Sequence, residues 1–526
     1  MCTTFTIECH NLFFYNSKLE YWLDFLNSIV QLCYMKILEN YYNGQFIASK
    51  SKRLLDYMNP ALGESLGKIP ISLPQEVNAA VKNAKDAFPN WRNTPGIQRI
   101  QPILNLQQHI KDNMDSLTES IVINHGKEWD AALGEVVRAY QMLEAAVAVP
   151  EMQKGEHMSN IAEGIDEYTV LEPLGVFMHI PPFNFPGMVP FWFWPFAVAA
   201  GNTYIIKSNE QTPLAMQEMF HLIDQSEFPP GVLNYLHGDA EIANQLIEHP
   251  DIVGVSSVTS TPVAKSIYKK ATSLLKRAQC HGGANNFLVV TENANLNNIM
   301  DNIMNSCFGN TGQRCLAGSI MMVVGNERFY NFFKKKFIEI TKSLKIGSGM
   351  DKTTFMGPVV SKKALEKLLD QIQGGLDEGA TLILDGRGIK IKGYDNGYFL
   401  GPCIFENAKP GMNVYDEEIF GPVVCLDRVD TLDEAIKIIN KNPKGNAVTI
   451  YTESGEEARH LRYNIQCGNI GINIGIVAPV AWFPFAGAKD SFFGTLRAQG
   501  REAVQFFTQA RCIVEKFHGS TKIEWD

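Results

Sequence analysis

The sequence predicts a two-lobed α/β protein with a cleft between the lobes. Three observations lead there. The chain has 526 residues, 45% of them hydrophobic, enough to bury more than one core. From Tyr168 onward, short apolar runs alternate with amphipathic ones, the pattern of a mostly parallel sheet covered on both faces. The alternation pauses at the turn-rich His281-Gly282-Gly283-Ala284-Asn285-Asn286 and restarts after Phe287-Leu288-Val289-Val290, which places a lobe boundary there.

The elements follow in chain order. Residues 1–34 differ from the rest and are read as an appendage without chemistry, with Met35 a natural start. The first arginine is Arg53, so neither a basic secretory leader nor an Arg-rich transit peptide is expected, and the cytoplasm is the expected compartment. Tyr41-Tyr42-Asn43-Gly44-Gln45-Phe46 reads as a strand and turn. An extended run over 168–180 leads into an apolar stretch over 185–201. That stretch contains Pro186, Pro190 and Pro195 and is shorter than the roughly 20 residues of a membrane span, so it is expected as a buried helix. Thr203–Lys207 is a strand, followed by a helix with Thr212 as N-cap and Pro213 in its first position. Strands over 232–236 and 252–258 alternate with helices over 240–248 and 264–275. In the second block, helices are expected over 297–307, 327–344 and 365–378, with a strand over 320–324.

A net charge of −9 leaves no electrostatic footprint for nucleic acid or an acidic membrane. The ten cysteines include no CxxC pair, which fits neither a disulfide framework nor a zinc site. One cysteine stands apart. Cys315 lies in Phe308-Gly309-Asn310-Thr311-Gly312-Gln313-Arg314-Cys315-Leu316-Ala317-Gly318-Ser319, a glycine-flanked turn with a guanidinium beside the sulfur. Such surroundings favour a thiolate nucleophile, although the same residue also reads as a buried structural cysteine.

The segment around Cys315 resembles the nucleophile loop of the aldehyde dehydrogenase superfamily, and further motifs of that family stand in the right order. Pro182-Phe183-Asn184-Phe185-Pro186 resembles the loop whose asparagine helps form the oxyanion hole; taken alone, Asn184 is a turn asparagine. Lys207 and Glu210 match the pair that holds the adenosine ribose. Glu417-Glu418-Ile419-Phe420-Gly421-Pro422-Val423 matches the motif that grips the nicotinamide ribose through Glu418 and packs Phe420 nearby. Pro484-Phe485-Ala486-Gly487 and Lys489-Asp490-Ser491 resemble the C-terminal signature, so the likeness runs from about Met35 to Phe517.

The resemblance implies an aldehyde dehydrogenase-like fold. Its parts are a Rossmann-like NAD-binding domain over 35–154 and 174–283, an α/β catalytic domain over 284–480 and a return segment over 481–505. A small β-ribbon over 155–173 and 506–517 would join subunits into a homodimer or homotetramer. Cys315 and Asn184 would be catalytic, with Phe183, Lys207, Glu210, Ser260, Gly282, Glu418 and Phe420 against NAD. Two departures touch the cofactor: Thr259 replaces a glycine in Ser257-Val258-Thr259-Ser260-Thr261, and Ser208 replaces a proline after Lys207. With no basic residue nearby to pair a 2′-phosphate, NAD is favoured over NADP.

Within the superfamily, the resemblance is greatest to the methylmalonate-semialdehyde dehydrogenase branch, which passes its acyl group to coenzyme A. Hydrolytic members place a water-activating glutamate 34 residues before the nucleophile, where this chain has His281. His281 is either a substitute general base or an inert loop residue. The same branch binds a substrate carboxylate through two arginines, matched by Arg138 and Arg314; Arg138 reads equally as the i,i+3 partner of Glu135. The resemblance therefore implies NAD-dependent oxidation of methylmalonate or malonate semialdehyde, with transfer to coenzyme A and loss of CO2. A hydrolytic aldehyde dehydrogenase and a degenerate non-catalytic relative are the alternatives.

Overall fold

The structure, a computed structural model, describes residues 37–517, and the appendage expected over 1–34 lies outside the described residues. Five parallel strands form the middle of an eight-stranded sheet. Their spatial order is Leu233–Leu236, Thr203–Lys207, Val176–Ile180, Ile252–Val258, Arg277–His281. The order in the chain is thus third, second, first, fourth, fifth, a Rossmann-like winding that reverses between Val176–Ile180 and Ile252–Val258. The hairpin Asn40–Tyr42 and Gln45–Ile47 extends one edge, with Asn43 and Gly44 at φ 58° and 70° in its two-residue turn. Val176, Met178 and Ile180 pack into one apolar core and Phe177 into the core on the opposite face, so both faces are covered.

Four local expectations change, three of them before residue 225. The extended run over 168–180 is two strands, Ile165–Pro173 and Val176–Ile180, which belong to different sheets; the chain bends at Gly175, φ 146°. The stretch over 185–201 is buried as expected but is not one helix. A 3-10 turn, Val189–Trp192, is followed by the short helix Trp194–Ala199, because Pro190 and Pro195 have no N–H with which to continue a ladder. No helix among the described residues is long and apolar enough to cross a membrane. The helix after Lys207 spans Leu214–Asp224, with Pro213 as its N-cap residue. Thr212 does not cap it, because its hydroxyl donates to the Phe183 carbonyl; the Leu214 N–H is instead accepted by Asn124 Oδ1 at 3.1 Å.

The second sheet has seven strands, in the order Thr381–Leu384, Cys403–Glu406, Val423–Val429, Gly318–Val324, Asn286–Thr291, Ala447–Tyr451, Asn469–Ile472. All of its pairings but the first are parallel. Phe287 and Val289 face one core, Leu288 and Val290 the other. A third, three-stranded sheet pairs Thr508–Lys516 with Ile165–Pro173 and the latter with His157–Ala162. Phe506 and Phe507, expected in a ribbon strand, instead end the helix Gly500–Phe507 and are buried.

This topology sets the site. The carboxyl ends of the first sheet's strands lead into Asn184, Lys207, Ser260 and Gly282, while Cys315 and Glu418 precede strands of the second sheet. The segment 282–285 joins the carboxyl end of one sheet to the amino end of the other.

Candidate active site

The loop that carries Cys315 follows the helix Leu296–Phe308. Asn310, Thr311 and Gly312 adopt left-handed φ of 52°, 55° and 67°. Such conformations cost a non-glycine residue roughly 1–2 kcal/mol each, so they need local compensation. The Asn310 N–H donates to both oxygens of Glu128 at 2.9 and 3.2 Å, and the Thr311 hydroxyl donates to the Gly357 carbonyl at 2.9 Å. Gln313 accepts the Val360 N–H on its side chain at 3.1 Å. Past the turn, the Cys315 carbonyl receives Asn286 Nδ2 at 2.8 Å and Asn446 Nδ2 at 2.7 Å. The nucleophile candidate is thereby fixed from both sides.

The thiol itself departs from expectation. Burial pushes Cys315 up to about 12, the Glu418 carboxylate adds to the rise, and its own N–H, Arg314 and the Leu316 N–H only partly offset this. With the site in this state the thiol holds its proton at neutral pH; the adjacent guanidinium does not by itself make a thiolate.

Asn184 is buried, and its Nδ2 donates to the Gln313 carbonyl at 2.9 Å, two residues before Cys315. An amide has two N–H bonds, so this contact orients the group and leaves one donor for an oxyanion. The Asn184 carbonyl accepts Lys127 Nζ at 2.6 Å, and Lys127 pairs with Glu135 at 2.7 Å, both side chains fully buried. Glu135 also accepts the N–H groups of Gly187 and Met188, at 2.6 and 3.1 Å. Lys127 lies 4.1 Å from the centre of the Phe185 ring. Burial lowers the Lys127 ammonium and raises the Glu135 carboxyl, and each opposes the other's shift. Lys127, Glu128, Glu135, Asn286 and Asn446 were not candidates from sequence. The one available signal was a pair of adjacent charges, Lys127-Glu128, at the start of a helix, Trp129–Val147.

Arg138 does not pair with Glu135, because that carboxylate is taken by Lys127. Among the described residues its hydrogen-bond partner is Gln141 Oε1 at 3.1 Å. Arg314 bonds the Asn305 backbone and side-chain oxygens, each at 3.1 Å, and meets Glu128 at 3.4 Å. Arg138 lies on the helix Trp129–Val147, and Arg314 reaches Glu128, the N-cap residue of that helix.

At the carboxyl end of the strand Thr203–Lys207, Lys207 Nζ meets Glu210 at 2.8 Å. Ser260 begins the helix Thr261–Ser273 without a side-chain cap, leaving first-turn N–H groups for an anion. Gly283 donates to Thr261 Oγ1 at 3.0 Å, and Glu418 accepts the Ala284 N–H at 2.9 Å. A side chain at Gly283 would collide with the Glu418 carboxylate, and one at Gly282 with the Asp490 carbonyl. Phe183 and Phe420 meet edge to face at 5.6 Å. Burial raises the Glu418 carboxyl, partly countered by the Ala284 N–H.

His281 ends its strand in an aromatic box of Trp192, Phe193, Phe485 and Phe492. Neither ring nitrogen has a hydrogen-bond partner, and burial, helped by Arg497, lowers it to about 3. A neutral imidazole walled in by rings has neither the basicity nor the access to activate water.

Comparison with known proteins places this geometry. The aldehyde dehydrogenase family pattern matches residues 46–513. A malonate-semialdehyde dehydrogenase of Oceanobacillus iheyensis is 39% identical over 482 residues, covering 92% of this chain and 99% of the relative. One from Pseudomonas aeruginosa is 39% identical over 486 residues, covering 92% and 97%. The crystal structure of methylmalonate-semialdehyde dehydrogenase from Oceanimonas doudoroffii superposes with a TM-score of 0.91 at 35% identity, covering 93% of this chain and 100% of that one. An NAD+ complex of aldehyde dehydrogenase from Bacillus cereus gives 0.87 at 27% identity, covering 92% and 97%. Fold and sequence agree: the chain belongs to the aldehyde dehydrogenase family.

Proposed function

We propose that this enzyme oxidises malonate or methylmalonate semialdehyde with NAD, through a thioester on Cys315, and transfers the acyl group to coenzyme A with loss of CO2. The observation that carries the choice of acceptor is His281. The spacing of 34 residues before Cys315, which in hydrolytic relatives marks the water-activating glutamate, falls here on a sealed, neutral imidazole, which disfavours hydrolysis; a thiol acceptor brings its own nucleophile. The names of the relatives support the substrate class, and Arg138 and Arg314 are the candidates for its carboxylate.

The donor set fits NAD. The uncapped helix start at Ser260 suits a pyrophosphate, and Glu418 beside Gly282 and Gly283 suits a ribose diol. Glu210, tied to Lys207, suits the adenosine ribose and would repel a 2′-phosphate, favouring NAD over NADP. Phe183 and Phe420 would wall the nicotinamide end. Bound NAD supplies a hydride acceptor and a positive charge that favours the Cys315 thiolate. Cys315 Sγ bonds to the aldehyde carbon, and the carbonyl oxygen becomes an alkoxide held by Asn184 Nδ2 and the Cys315 N–H. Asn286 and Asn446 keep that N–H in place through the Cys315 carbonyl. The alkoxide collapses with departure of a hydride and leaves the acyl group on sulfur. The carboxylate leaves as CO2 with a proton taken up at the α-carbon, and the coenzyme A thiolate attacks the thioester carbonyl and displaces the Cys315 thiolate.

In this reading the lobe ending at residue 283 is the NAD-binding domain, together with 35–154, and 284–480 is the catalytic domain. The ribbon over 155–173 with the strand Thr508–Lys516 joins subunits of a cytoplasmic homodimer or homotetramer. The test is NADH formation from malonate, methylmalonate and simple aldehydes, with and without coenzyme A. Coenzyme A dependence and loss of product in Cys315→Ala are expected; rates indifferent to coenzyme A would overturn the proposal.

A further inference from the structure

We infer that Glu128 is a built-in occupant of the carboxylate-binding edge of Arg314 and sets how far anionic aldehydes are favoured over neutral ones. The inference rests on the carboxylated-substrate reading above. The Arg314 guanidinium is held on one side by Asn305, through Nη1 to two oxygens at 3.1 Å. Its Nη2 edge meets Glu128 Oε1 at 3.4 Å, with side-chain exposures of 11% and 9%. Charge-assisted bonds of this kind are normally about 2.7–2.9 Å, so the pair is loose. Glu128 is held instead by the Asn310 N–H, at 2.9 and 3.2 Å to its two oxygens. The carboxylate is therefore anchored by the nucleophile loop and only leans on Arg314.

Two consequences follow from that arrangement. Without substrate, Glu128 compensates a nearly buried guanidinium that would otherwise be costly. When a substrate carboxylate reaches the Nη2 edge, it must displace Glu128 or sit beside it, like charge against like, in a poorly solvated place. A neutral aldehyde of the same shape meets no such opposition. Glu128 thus acts on specificity through Arg314 and needs no contact with the reacting carbon.

The experiment uses the full chain with saturating NAD and coenzyme A. KM and kcat are measured for malonate semialdehyde and for 3-methylbutanal, in which two methyl groups replace the carboxylate oxygens. Glu128→Gln keeps an oxygen for the Asn310 N–H but removes the charge. The expected result is a fall of roughly three- to tenfold in KM for malonate semialdehyde, as the competent state of Arg314 becomes more populated. KM for 3-methylbutanal should stay within about twofold, as a general loosening of the loop would not allow. Glu128→Asp retains the charge and should leave the KM ratio near the parent's. An unchanged ratio in Glu128→Gln, or the same shift in Glu128→Asp, overturns the inference. If Glu128→Gln does not fold, Glu128→Thr, with a hydroxyl acceptor for Asn310, is judged on the same ratio. A parent enzyme with no preference for malonate semialdehyde refutes the substrate reading and this inference with it; a parent preference that Glu128→Gln leaves intact refutes this inference alone.

Discussion

Replacing Lys127 by methionine isolates the buried pair that supports the loop carrying Asn184. The change keeps most of the aliphatic stem but strands Glu135 in a site where both side chains are fully buried. Breaking such a pair from one side costs about 3–5 kcal/mol, because the remaining charge is left without its counterion. The lost Lys127 bond to the Asn184 carbonyl falls on the same loop. Removing both charges in Lys127→Met/Glu135→Gln is a different perturbation, since no unpaired charge remains and Gln still accepts the Gly187 or Met188 N–H. The double variant should recover roughly 2 kcal/mol or more of what the single variant loses. A pH dependence follows with a definite sign. Burial raises Glu135, and Lys127 is the main group holding it down, so the single variant raises it further. A carboxyl raised in the folded state destabilises when ionised, so the deficit should narrow as pH is lowered and Glu135 takes up a proton. Denaturant unfolding of parent, two single variants and the double variant at several pH values measures both effects. A double variant no more stable than Lys127→Met, or a deficit that grows on acidification, would refute the reasoning.

Three other outcomes are expected. Asn184→Ala should lower kcat by roughly 100- to 1000-fold with a smaller change in KM, measured by steady-state NADH formation, if its free N–H serves the oxyanion. Glu418→Gln keeps an acceptor for the Ala284 N–H and removes a charge that raises Cys315; alkylation by iodoacetamide at fixed pH should quicken roughly three- to tenfold, and unchanged alkylation would deny the coupling. His281 is lowered from 6.5 to about 3, so its contribution is present above the higher value and lost as pH falls toward the lower. His281→Phe should accordingly lose less stability on acidification, with coenzyme A-dependent turnover retained; a collapse of turnover would restore a chemical role to His281.

Much of the fold was readable because its strands are short, apolar and bounded by turns. Thr203–Lys207 and Ile252–Val258 have the bounds that their side chains suggest, since a central parallel strand is covered on both faces and reads as a short, largely apolar run. The stretch over 185–201 was legible as buried but not as broken, because periodicity registers burial and the prolines act on the backbone. Cys315 and Asn184 stood out through motifs, whereas their supports did not. Glu135 looks like any helix-surface acid until the fold brings Lys127 onto it from eight residues away and the Gly187 backbone from 52 away. The electrostatics around Cys315 are hidden from sequence for the same reason: Arg314 is adjacent in the chain, but burial and Glu418 arrive only with the tertiary structure.

The three-stranded sheet bears on how the protein is made. Its middle strand, Ile165–Pro173, is flanked by His157–Ala162, only a tight turn away, and by Thr508–Lys516 in nine register pairs. Glu167 and Cys512, joined across that sheet, lie 345 positions apart. At ribosomal speeds of 5–20 residues per second, the middle strand waits roughly 20–70 s for its partner to be synthesised. During that interval an edge bearing Val170, with Met158 and Ile161 close by, is open to pairing with any nascent neighbour. Yield during overproduction should therefore depend on translation rate and chaperone supply more than on the stability of the finished fold.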